Sequence, residues 1–312
     1  MKGDCLKVLV TGGAGFIGSN IVKGALKKGW EVRVLDNFFL GKSDNLDDVA
    51  KEIELIKGDV RDEKIVKKAT RGVDYVFHQA AVSSSQMFVP DPGLGISVNV
   101  MGFANLLRWA HENGVKRVVH ASTSTIYGSL PTPFKEDVFI QKCGNFYSMT
   151  KFAAEHLAKT FTAERGLETV GLRYFSVYGP GEGPKGKYAN LITQFVWGMK
   201  KGERPLIYGD GKQTRDFVYV GDVAQANFLA ATRKGVAGEV FNVGTGRTIS
   251  VNDATALLSS YLGKNIKPKY APNPITGYVY RHQADTAKAR KLLGFEAKVP
   301  FEKGLKMLIE CY

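Results

Sequence analysis

The stretch "LKVLVTGGAGFIGSN" covers residues 6–20 and decides the fold class. It begins as a short apolar run, passes through a glycine-rich turn and ends in a segment whose apolar positions suit a helix. Gly13, Gly15 and Gly18 fit G-x-G-x-x-G, and Gly12 starts the alternative spacing G-x-x-G-x-x-G. Such a turn lets the backbone approach a pyrophosphate and points helix N–H groups at it. The stretch therefore predicts a dinucleotide-binding strand–turn–helix unit.

An acidic residue follows this turn at the distance that dinucleotide-binding units require. Asp36 ends the run "EVRVLD" (31–36), 18 residues after Gly18. A carboxylate there can accept hydrogen bonds from both ribose hydroxyls of NAD and would repel the 2′-phosphate of NADP. Asp59 lies near the end of the third predicted strand (53–60), where it can meet an adenine or simply cap its own strand. Strand, turn, helix and distant acid together predict NAD as the cofactor.

The rest of the chain alternates between predicted strands and helices. Segments 53–60, 73–81, 117–123 and 168–180 are predicted as strands, with helical patterns between them. This predicts an α/β fold with a doubly wound parallel sheet of the Rossmann type and a smaller, interleaved α/β C-terminal substrate domain. The predicted division is 1–178 with 216–245 for the dinucleotide domain, and 179–215 with 246–312 for the substrate lobe.

Composition points to an ordinary soluble protein. Hydrophobic residues make up 44% and charged residues 23% of the 312 residues, as in typical globular domains. No apolar stretch is long enough to span a bilayer, and the N-terminus lacks the pattern of an export signal. Cys5, Cys143 and Cys311 are scattered without paired spacing. We therefore expect no disulfide framework and no metal site, and we expect a cytoplasmic location with no membrane partner.

The net charge of +13 raises the question of a nucleic-acid partner. The lysines fall in short clusters on predicted helix surfaces, such as "VKGALKKG" and "EKIVKKATRG". No basic run is interleaved with aromatic residues that could stack on bases. We expect no nucleic-acid partner, and an anionic small molecule would benefit from the same positive field.

Further motifs follow the glycine turn in a fixed order. They are "DN" (36–37), "GDVRD" (58–62), "HQAA" (78–81), "STSTIYG" (122–128), "YSMTK" (147–151), "RYFSVYGP" (173–180) and "RDFVYVGDV" (215–223). Together they resemble the extended short-chain dehydrogenase/reductase family over essentially the whole length. Within that family, the chain is most similar to the NAD-dependent nucleotide-sugar epimerases of the UDP-glucose 4-epimerase type.

The resemblance implies a catalytic set of three residues. Tyr147 takes the position of the base, Lys151 that of its partner, and Thr123 that of the catalytic Ser or Thr. The spacing of four places Tyr147 and Lys151 on one helix face. A free tyrosine has a pKa of about 10, so we expect the Lys151 ammonium and an oxidised nicotinamide to lower it.

The resemblance also implies binding residues. Those expected at the cofactor, besides the Tyr–Lys pair, are Gly12, Gly15, Phe16, Ile17, Gly18, Asp36, Asn37, Asp59, Val60, Gln79, Ala80, Ala81 and Asn99. Those expected at the UDP-sugar are Ser84, Ser124, Thr125, Ser176, Asn190, Leu191, Tyr208, Arg215, Arg281 and His282. Arg215 is expected on the diphosphate, and family members pair as homodimers through the helix that carries the Tyr–Lys motif and the helix near 100–112.

Several positions depart from the pattern of the family. Ser176 stands where an asparagine usually contacts the substrate phosphate, and the segment before the last "AD" lacks its usual arginine, for which Arg281 is a substitute candidate. His282 lies near the position that gates sugar size, although a packing role is at least as well supported. Ser124 and Thr125 replace the Asp–Glu pair of dehydratases, which argues against dehydration.

The expected reaction is reversible C4 epimerisation of a UDP-hexose, with UDP-glucose and UDP-galactose first. UDP-N-acetylhexosamine, UDP-uronate and an ADP-heptose 6-epimerase remain alternatives. A non-catalytic NAD-sensing protein is the alternative outside enzymes.

Overall fold

The computed structural model describes residues 6–273 and 278–312. The strands within this part are β1 (Lys7–Thr11), β2 (Glu31–Asp36), β3 (Ile53–Lys57), β4 (Tyr75–His78), β5 (Arg117–Thr123), β6 (Glu168–Tyr174), β7 (Ser176–Tyr178), β8 (Leu206–Tyr208), β9 (Thr214–Arg215), β10 (Phe217–Tyr219), β11 (Val240–Val243), β12 (Ile249–Ser250) and β13 (Lys269–Ala271). The helices are α1 (Phe16–Lys27), α2 (Glu63–Thr70), α3 (Pro92–Ile96), α4 (Gly102–Glu112), α5 (Phe146–Arg165), α6 (Leu191–Lys200), α7 (Val220–Thr232), α8 (Val251–Tyr261) and α9 (Phe301–Glu310).

Seven of the strands form one parallel sheet in the order β3-β2-β1-β4-β5-β6-β11. β1 lies between β2 and β4, so the chain winds outward in both directions from the centre. Parallel strands need crossover helices, and these cover both faces of the sheet. The predicted doubly wound Rossmann fold is therefore confirmed.

The core has a layer on each side of this sheet. Val8 and Val10 of β1 belong to one apolar cluster, whereas Leu9 belongs to the other. All three are fully buried, because successive side chains of a strand point to opposite faces. Burying each such side chain stabilises the fold by roughly 1.5–3 kcal/mol. The two layers hold the central strands, and so the ends of these strands, in fixed positions.

The predicted strand ends agree with the structure only in part. The predictions for 31–36 and 117–123 match β2 and β5, whereas β3 and β4 end three residues earlier than predicted. The prediction of one strand over 168–180 was wrong. The N–H of Phe175 still bonds the Val243 carbonyl, but that of Ser176 bonds the Asp216 carbonyl. β7 therefore leaves the main sheet and pairs with β10.

The chain returns to the main sheet near its predicted position. α7 packs against α1, and β11 pairs with β6 at the sheet edge. The smaller strands form two-stranded pairs, β12 with β9 and β13 with β8. These contacts show that the chain leaves the main sheet after β6 and returns to it at β11. The domain boundaries given above stay a prediction.

Candidate active site

A cavity of about 330 Å³ opens at the carboxyl ends of the central strands. It reaches from the glycine turn after β1 to Tyr147 on α5. The sheet order reverses at β1 and β4, and ligands of open α/β sheets bind at this crevice. The fold therefore places the predicted cofactor and catalytic motifs in one cavity.

The glycine turn fits a pyrophosphate. Gly12 has a φ of +69°, and a Cβ on it would meet the Ala80 nitrogen at 2.6 Å. A Cβ on Gly18 would collide with the Gly12 carbonyl oxygen. The N-cap of α1 is Gly15, and no side chain among the described residues caps this helix. The first N–H groups of α1 are consequently left for an anion in the cavity.

Asp36 is held rigidly beside this turn. Its Oδ2 accepts a hydrogen bond from the Ala14 N–H (2.9 Å), and its Oδ1 accepts one from the Phe38 N–H (2.7 Å). Burial raises the pKa of Asp36, and the two backbone bonds oppose that rise. Phe38 itself adopts a φ of +60°, a rare value for a residue other than glycine. The carboxylate keeps free lone pairs toward the cavity, as a ribose ligand requires.

Asp59 is engaged by its neighbours at the same end of the cavity. It accepts hydrogen bonds from Asn37 Nδ2 (2.8 Å), Arg61 Nε (2.9 Å) and Arg61 Nη2 (2.8 Å). The Arg61 hydrogen bonds are the main cause that lowers the pKa of Asp59 to about 2. All three residues line the cavity. Sequence reasoning had missed Arg61, which fixes the carboxylate.

Tyr147 and Lys151 lie in the first turns of α5. Asn145 and Ser148 start this helix with a reciprocal capping box. The Lys151 Nζ donates to the Ala121 carbonyl at 3.0 Å. Thr123 ends β5, and its Oγ1 accepts a hydrogen bond from the Thr125 N–H at 3.2 Å. Helix and strand thus bring all three predicted catalytic side chains to one wall of the cavity.

Burial shapes the ionisation of this pair. It raises the pKa of Tyr147 to about 12, while a hydrogen bond with Thr123 opposes the rise. It lowers the pKa of Lys151 to about 8. The Lys151 ammonium donates to the Ala121 carbonyl, and its expected lowering of the Tyr147 pKa stays a prediction. A tyrosine base here needs positive charge brought in by the bound cofactor.

Most of the predicted cofactor residues line the cavity. They are Gly12, Gly15, Phe16, Ile17, Gly18, Asp36, Asn37, Asp59, Val60, Gln79, Ala80 and Ala81. Asn99 is buried behind the wall. Its side chain bonds both the N–H and the carbonyl of Val82 and donates to Thr150 Oγ1. It holds the chain after β4 against α5, so its part at the cofactor stays a prediction.

The predicted substrate residues are more dispersed. Ser176 and Asn190 line the cavity, while Leu191, Tyr208 and Arg281 are exposed on the protein surface. Ser84 keeps a buried hydroxyl oxygen without a hydrogen-bond partner in the described structure. The guanidinium of Arg215 lies over the Tyr278 ring at 5.0 Å, and burial lowers the Arg215 pKa.

His282 joins the C-terminal segment to the end of β5. Ser124 Oγ donates to the Tyr174 carbonyl (2.9 Å) and lies 2.8 Å from His282 Nε2. The hydroxyl proton is used by Tyr174, so Nε2 must carry the proton that His282 gives to Ser124. Burial lowers the pKa of His282 to about 3, with a further contribution from Arg215. The ring is therefore neutral and held beside Ser124.

Two further cavity residues come from the loop between β7 and α6. Lys185 and Tyr188 line the cavity. The Lys185 ammonium lies 5.6 Å from the centroid of the Phe16 ring, beside the glycine turn, and pairs with the fully buried Glu182 at 2.9 Å. The sequence marked this loop as rich in glycine, but no spacing rule pointed to Lys185.

Within residues 6–273 and 278–312, no group of three or more His, Cys, Asp or Glu side chains is placed to hold a metal ion. None of the described helices combines the length and apolarity needed to cross a membrane. Cys143 and Cys311 are free thiols, and Cys5 lies outside the described residues.

A parallel sheet with a glycine turn and an acid at one end of a cavity, and a Tyr–Lys pair at the other, defines an enzyme of the extended short-chain dehydrogenase/reductase class. The family model described as the NAD dependent epimerase/dehydratase family matches residues 8–244, and the chain belongs to this family. Its cofactor is NAD.

Relatives and solved structures agree with this assignment. A UDP-glucose 4-epimerase of Mycolicibacterium smegmatis is 32% identical over 98% of each chain. The UDP-glucose 4-epimerase of Thermus thermophilus, solved with NAD, is 36% identical with a TM-score of 0.89 over 98% of each chain. The UDP-N-acetylglucosamine 4-epimerase of Methanobrevibacter ruminantium, solved with UDP-N-acetylmuramic acid, is 34% identical with a TM-score of 0.92 over 98% of each chain. These relatives bind UDP-sugars of more than one kind.

Proposed function

We propose that the protein interconverts UDP-glucose and UDP-galactose by epimerisation at C4, with NAD retained through each turnover. The observation that carries the proposal is the meeting of Thr123, Tyr147 and Lys151 on one wall of the cavity that also contains the glycine turn. In such a cavity a side chain can remove the hydroxyl proton of a sugar carbinol and later return it. A bound NAD would exchange the hydride.

The glycine turn and Asp36 are the residues that would hold the cofactor. Gly12 and Gly18 leave room for the pyrophosphate, and Asp36 has acceptors for the ribose hydroxyls. Bound NAD supplies the hydride acceptor and donor, together with the positive charge that favours ionised Tyr147. Lys151 lines the same cavity and would hold the nicotinamide ribose.

Tyr147 would accept the proton of the C4 hydroxyl and later return it. Thr123 can hydrogen-bond the same sugar oxygen, since its Oγ1 lies at the end of β5 beside Tyr147. The resulting 4-keto sugar must turn over before the hydride returns to its other face. Its nucleotide must stay fixed meanwhile, and Arg215, with no acidic partner among its described contacts, is the expected diphosphate ligand.

Dehydration is disfavoured by the residues after Thr123. Eliminating water from the sugar needs an acid and a base beside the keto group. Ser124 and Thr125 occupy these positions, and the hydroxyl of Ser124 is already bonded to Tyr174 and His282. Epimerisation needs no such pair, so it is the reaction that this wall supports best.

The homodimer is proposed on a separate observation. Phe146 and Met149 on α5 and Met101 beside α4 are exposed large apolar side chains, at 53%, 36% and 64%. A second copy would cover such a face. Changing Met149→Glu should therefore shift the protein toward a monomer in light scattering, whereas the exposed Phe139→Ser should leave its mass unchanged. The cytoplasmic location stays a prediction.

The first experiment is to incubate the purified protein with UDP-galactose, without added cofactor, and follow the anomeric protons by NMR. Growth of the UDP-glucose signal is the expected result. Parallel samples with UDP-N-acetylglucosamine, UDP-glucuronate and an ADP-heptose decide among the alternatives. Turnover of one of those sugars, with UDP-galactose unchanged, would replace the proposed substrate.

Tyr147→Phe separates an enzyme from an NAD-sensing protein. We expect the variant to retain NAD and to lose turnover by at least about 10³-fold, because the proton acceptor is gone while the fold is kept. The cofactor content is measured by releasing NAD with acid and quantifying it by chromatography. A variant that turns over normally would remove Tyr147 from the mechanism.

A further inference from the structure

A buried ionic cluster lies directly behind the catalytic wall. Glu155 and Arg173 pair through Oε2 and Nη2 at 2.8 Å and through Oε1 and Nε at 2.9 Å. Their side chains are only 2% and 4% exposed. None of the reaction steps proposed above uses either residue.

The cluster joins the three elements that carry the catalytic wall. Glu155 lies on α5 one turn after Lys151 and two turns after Tyr147. Its Oε1 also accepts the Ser122 hydroxyl at 2.5 Å. Ser122 precedes Thr123 on β5, and Arg173 precedes the cavity residue Tyr174 on β6. One carboxylate thus ties the helix of Tyr147 to two strand ends.

The cluster also continues toward the substrate lobe. Arg173 Nη1 donates to the Tyr127 hydroxyl at 2.8 Å, which donates to Asn242 Oδ1 at 2.7 Å. Asn242 Nδ2 donates to the carbonyls of Phe134 and Asp285. The segment that contains Asp285 also carries His282, which contacts Ser124 at the end of β5.

Stability alone is a poor reason for this arrangement. Removing two charges from water costs several kcal/mol per ion, and a buried pair is often no better than apolar residues of the same size. A bidentate Arg–carboxylate fork does fix distance and angle. Catalytic groups need such fixing, since a displacement of 1 Å can cost about 10²-fold in rate.

We propose that Glu155 and Arg173 are positioning residues that set the height and rotation of α5 on β5 and β6, and thereby place Tyr147 and Lys151 against Thr123. The proposal rests on the role of Tyr147 proposed above. Neither residue touches the reacting atoms, so both act through the elements that carry the catalytic side chains.

The test replaces the whole pair, so that no unpaired charge stays buried. The double variant Glu155→Met with Arg173→Met should fold cooperatively and keep its NAD, because apolar residues of similar volume replace the pair. Its kcat should fall by about 10²-fold, with the KM for the sugar changed by less than about threefold. The pKa of Tyr147 should also rise, since a displaced phenol loses the Thr123 hydrogen bond that lowers it and moves away from the positive charge of bound NAD.

A matched control exists at the other end of the same strands. Arg117 starts β5 and pairs with Glu168, which starts β6, with Arg117 Nε to Glu168 Oε2 at 2.8 Å. Arg117→Met with Glu168→Met removes the same kind of link away from the cavity. This variant should lose thermal stability but keep the wild-type kcat and Tyr147 ionisation.

The Tyr147 ionisation is read without any substrate. The ultraviolet absorbance of tyrosinate is titrated in the NAD-bound protein, and the same background with Tyr147→Phe is subtracted to remove the other twelve tyrosines. This readout decides the positioning role even if the wild type turns over none of the UDP-sugars, in which case the proposed function fails separately.

A folded double variant with wild-type kcat and Tyr147 ionisation would overturn the proposal. If the double variant does not fold, Ser122→Ala decides, because it removes only the bond from β5 to Glu155. The loss of one charge-assisted bond then predicts a roughly threefold to tenfold lower kcat. Unchanged kcat and Tyr147 ionisation in this variant would refute the positioning role.

Discussion

Individual side chains at this site serve the fold and the chemistry together. Asp36 accepts hydrogen bonds from the N–H groups of Ala14 and Phe38, and it keeps free lone pairs toward the cavity. Tyr147 is kept protonated by burial until a cationic cofactor arrives. Both residues therefore suit the cofactor-bound protein, and their burial lowers the stability of the cofactor-free protein.

Asp36→Ala tests the choice of cofactor. The change removes the ribose acceptor and the negative charge that opposes a 2′-phosphate, so the affinity for NAD should fall by about 10- to 100-fold. The preference for NAD over NADP should shrink toward equality. Titration calorimetry on cofactor-stripped protein measures both affinities.

The control for this change is Asp48→Ala. Asp48 is 61% exposed and pairs with Lys23 on the surface, so its loss should leave both affinities as they are. If Asp36→Ala still rejected NADP as strongly as the wild type does, another group would have to carry the selectivity.

Which side chains could be predicted depended on whether a motif marks them. Gly12, Asp36, Tyr147 and Lys151 belong to motifs with fixed spacing, and the structure brings them into one cavity. Arg61 and Lys185 line the same cavity, and each bonds an acidic residue only two or three positions away, Asp59 and Glu182. These bonds are local, but the fold decides which loops reach the cavity, and no spacing rule marks that.

At the scale of elements, the junction between β1 and α1 is the most constrained. Gly18 faces the Gly12 carbonyl so closely that a methyl group does not fit. The obstacle is backbone and cannot rotate away, as a side chain could. The junction must therefore keep glycine for the helix to lie this close to the turn.

Gly18→Ala should push α1 away from the turn. We expect the free energy of unfolding to fall by about 1–3 kcal/mol and the protein to be purified with little NAD. Urea unfolding and chromatography of released NAD measure the two effects. Gly144→Ala is the control, since that exposed glycine has no atom within 4 Å of the added methyl. Normal NAD retention in Gly18→Ala would contradict the steric account.

Element ends were the least predictable part of the fold. "ETVGLRYFSVYGP" has the pattern of one strand, yet the chain leaves the main sheet at Phe175 because the N–H of Ser176 bonds the Asp216 carbonyl. The five-residue π-helical segment Ser97–Met101 joins α3 to α4, and its sequence carries no breaker. At both positions hydrogen bonds to distant parts of the chain, and not the local sequence pattern, determine where the regular element ends.

At the scale of the whole molecule, buried histidines link stability to pH. His120 lies on β5 with its ring 5.1 Å from that of Phe103. Burial lowers the pKa of His120 to about 4; Glu155 opposes this shift, while Lys151 and Lys159 add to it. The unfolded chain, with a histidine pKa of about 6.5, therefore binds more protons than the folded chain between these values.

The free energy of unfolding should consequently rise with pH between about 4 and 6.5 and be lost as the pH falls. His120 contributes roughly 3 kcal/mol to this change. His120→Leu should reduce the slope of the pH dependence, measured by urea unfolding at several pH values, while the buried His78 and His282 keep the remainder. The exposed His111→Leu should leave the slope of the wild type, and an equal slope in both variants would exclude His120 as the cause.

β11 is the last strand of the main sheet to be synthesised, and this affects how the chain folds during translation. β6 is the edge of the sheet until Val240–Val243 pair with it. All residues between β6 and β11 must leave the ribosome before this pairing can form. Until then a growing chain exposes a long, apolar strand edge, which is prone to pair with other chains. We expect truncated chains that end shortly before Val240 to aggregate. Slow translation of the segment between β6 and β11 should increase the dependence on chaperones that shield strand edges.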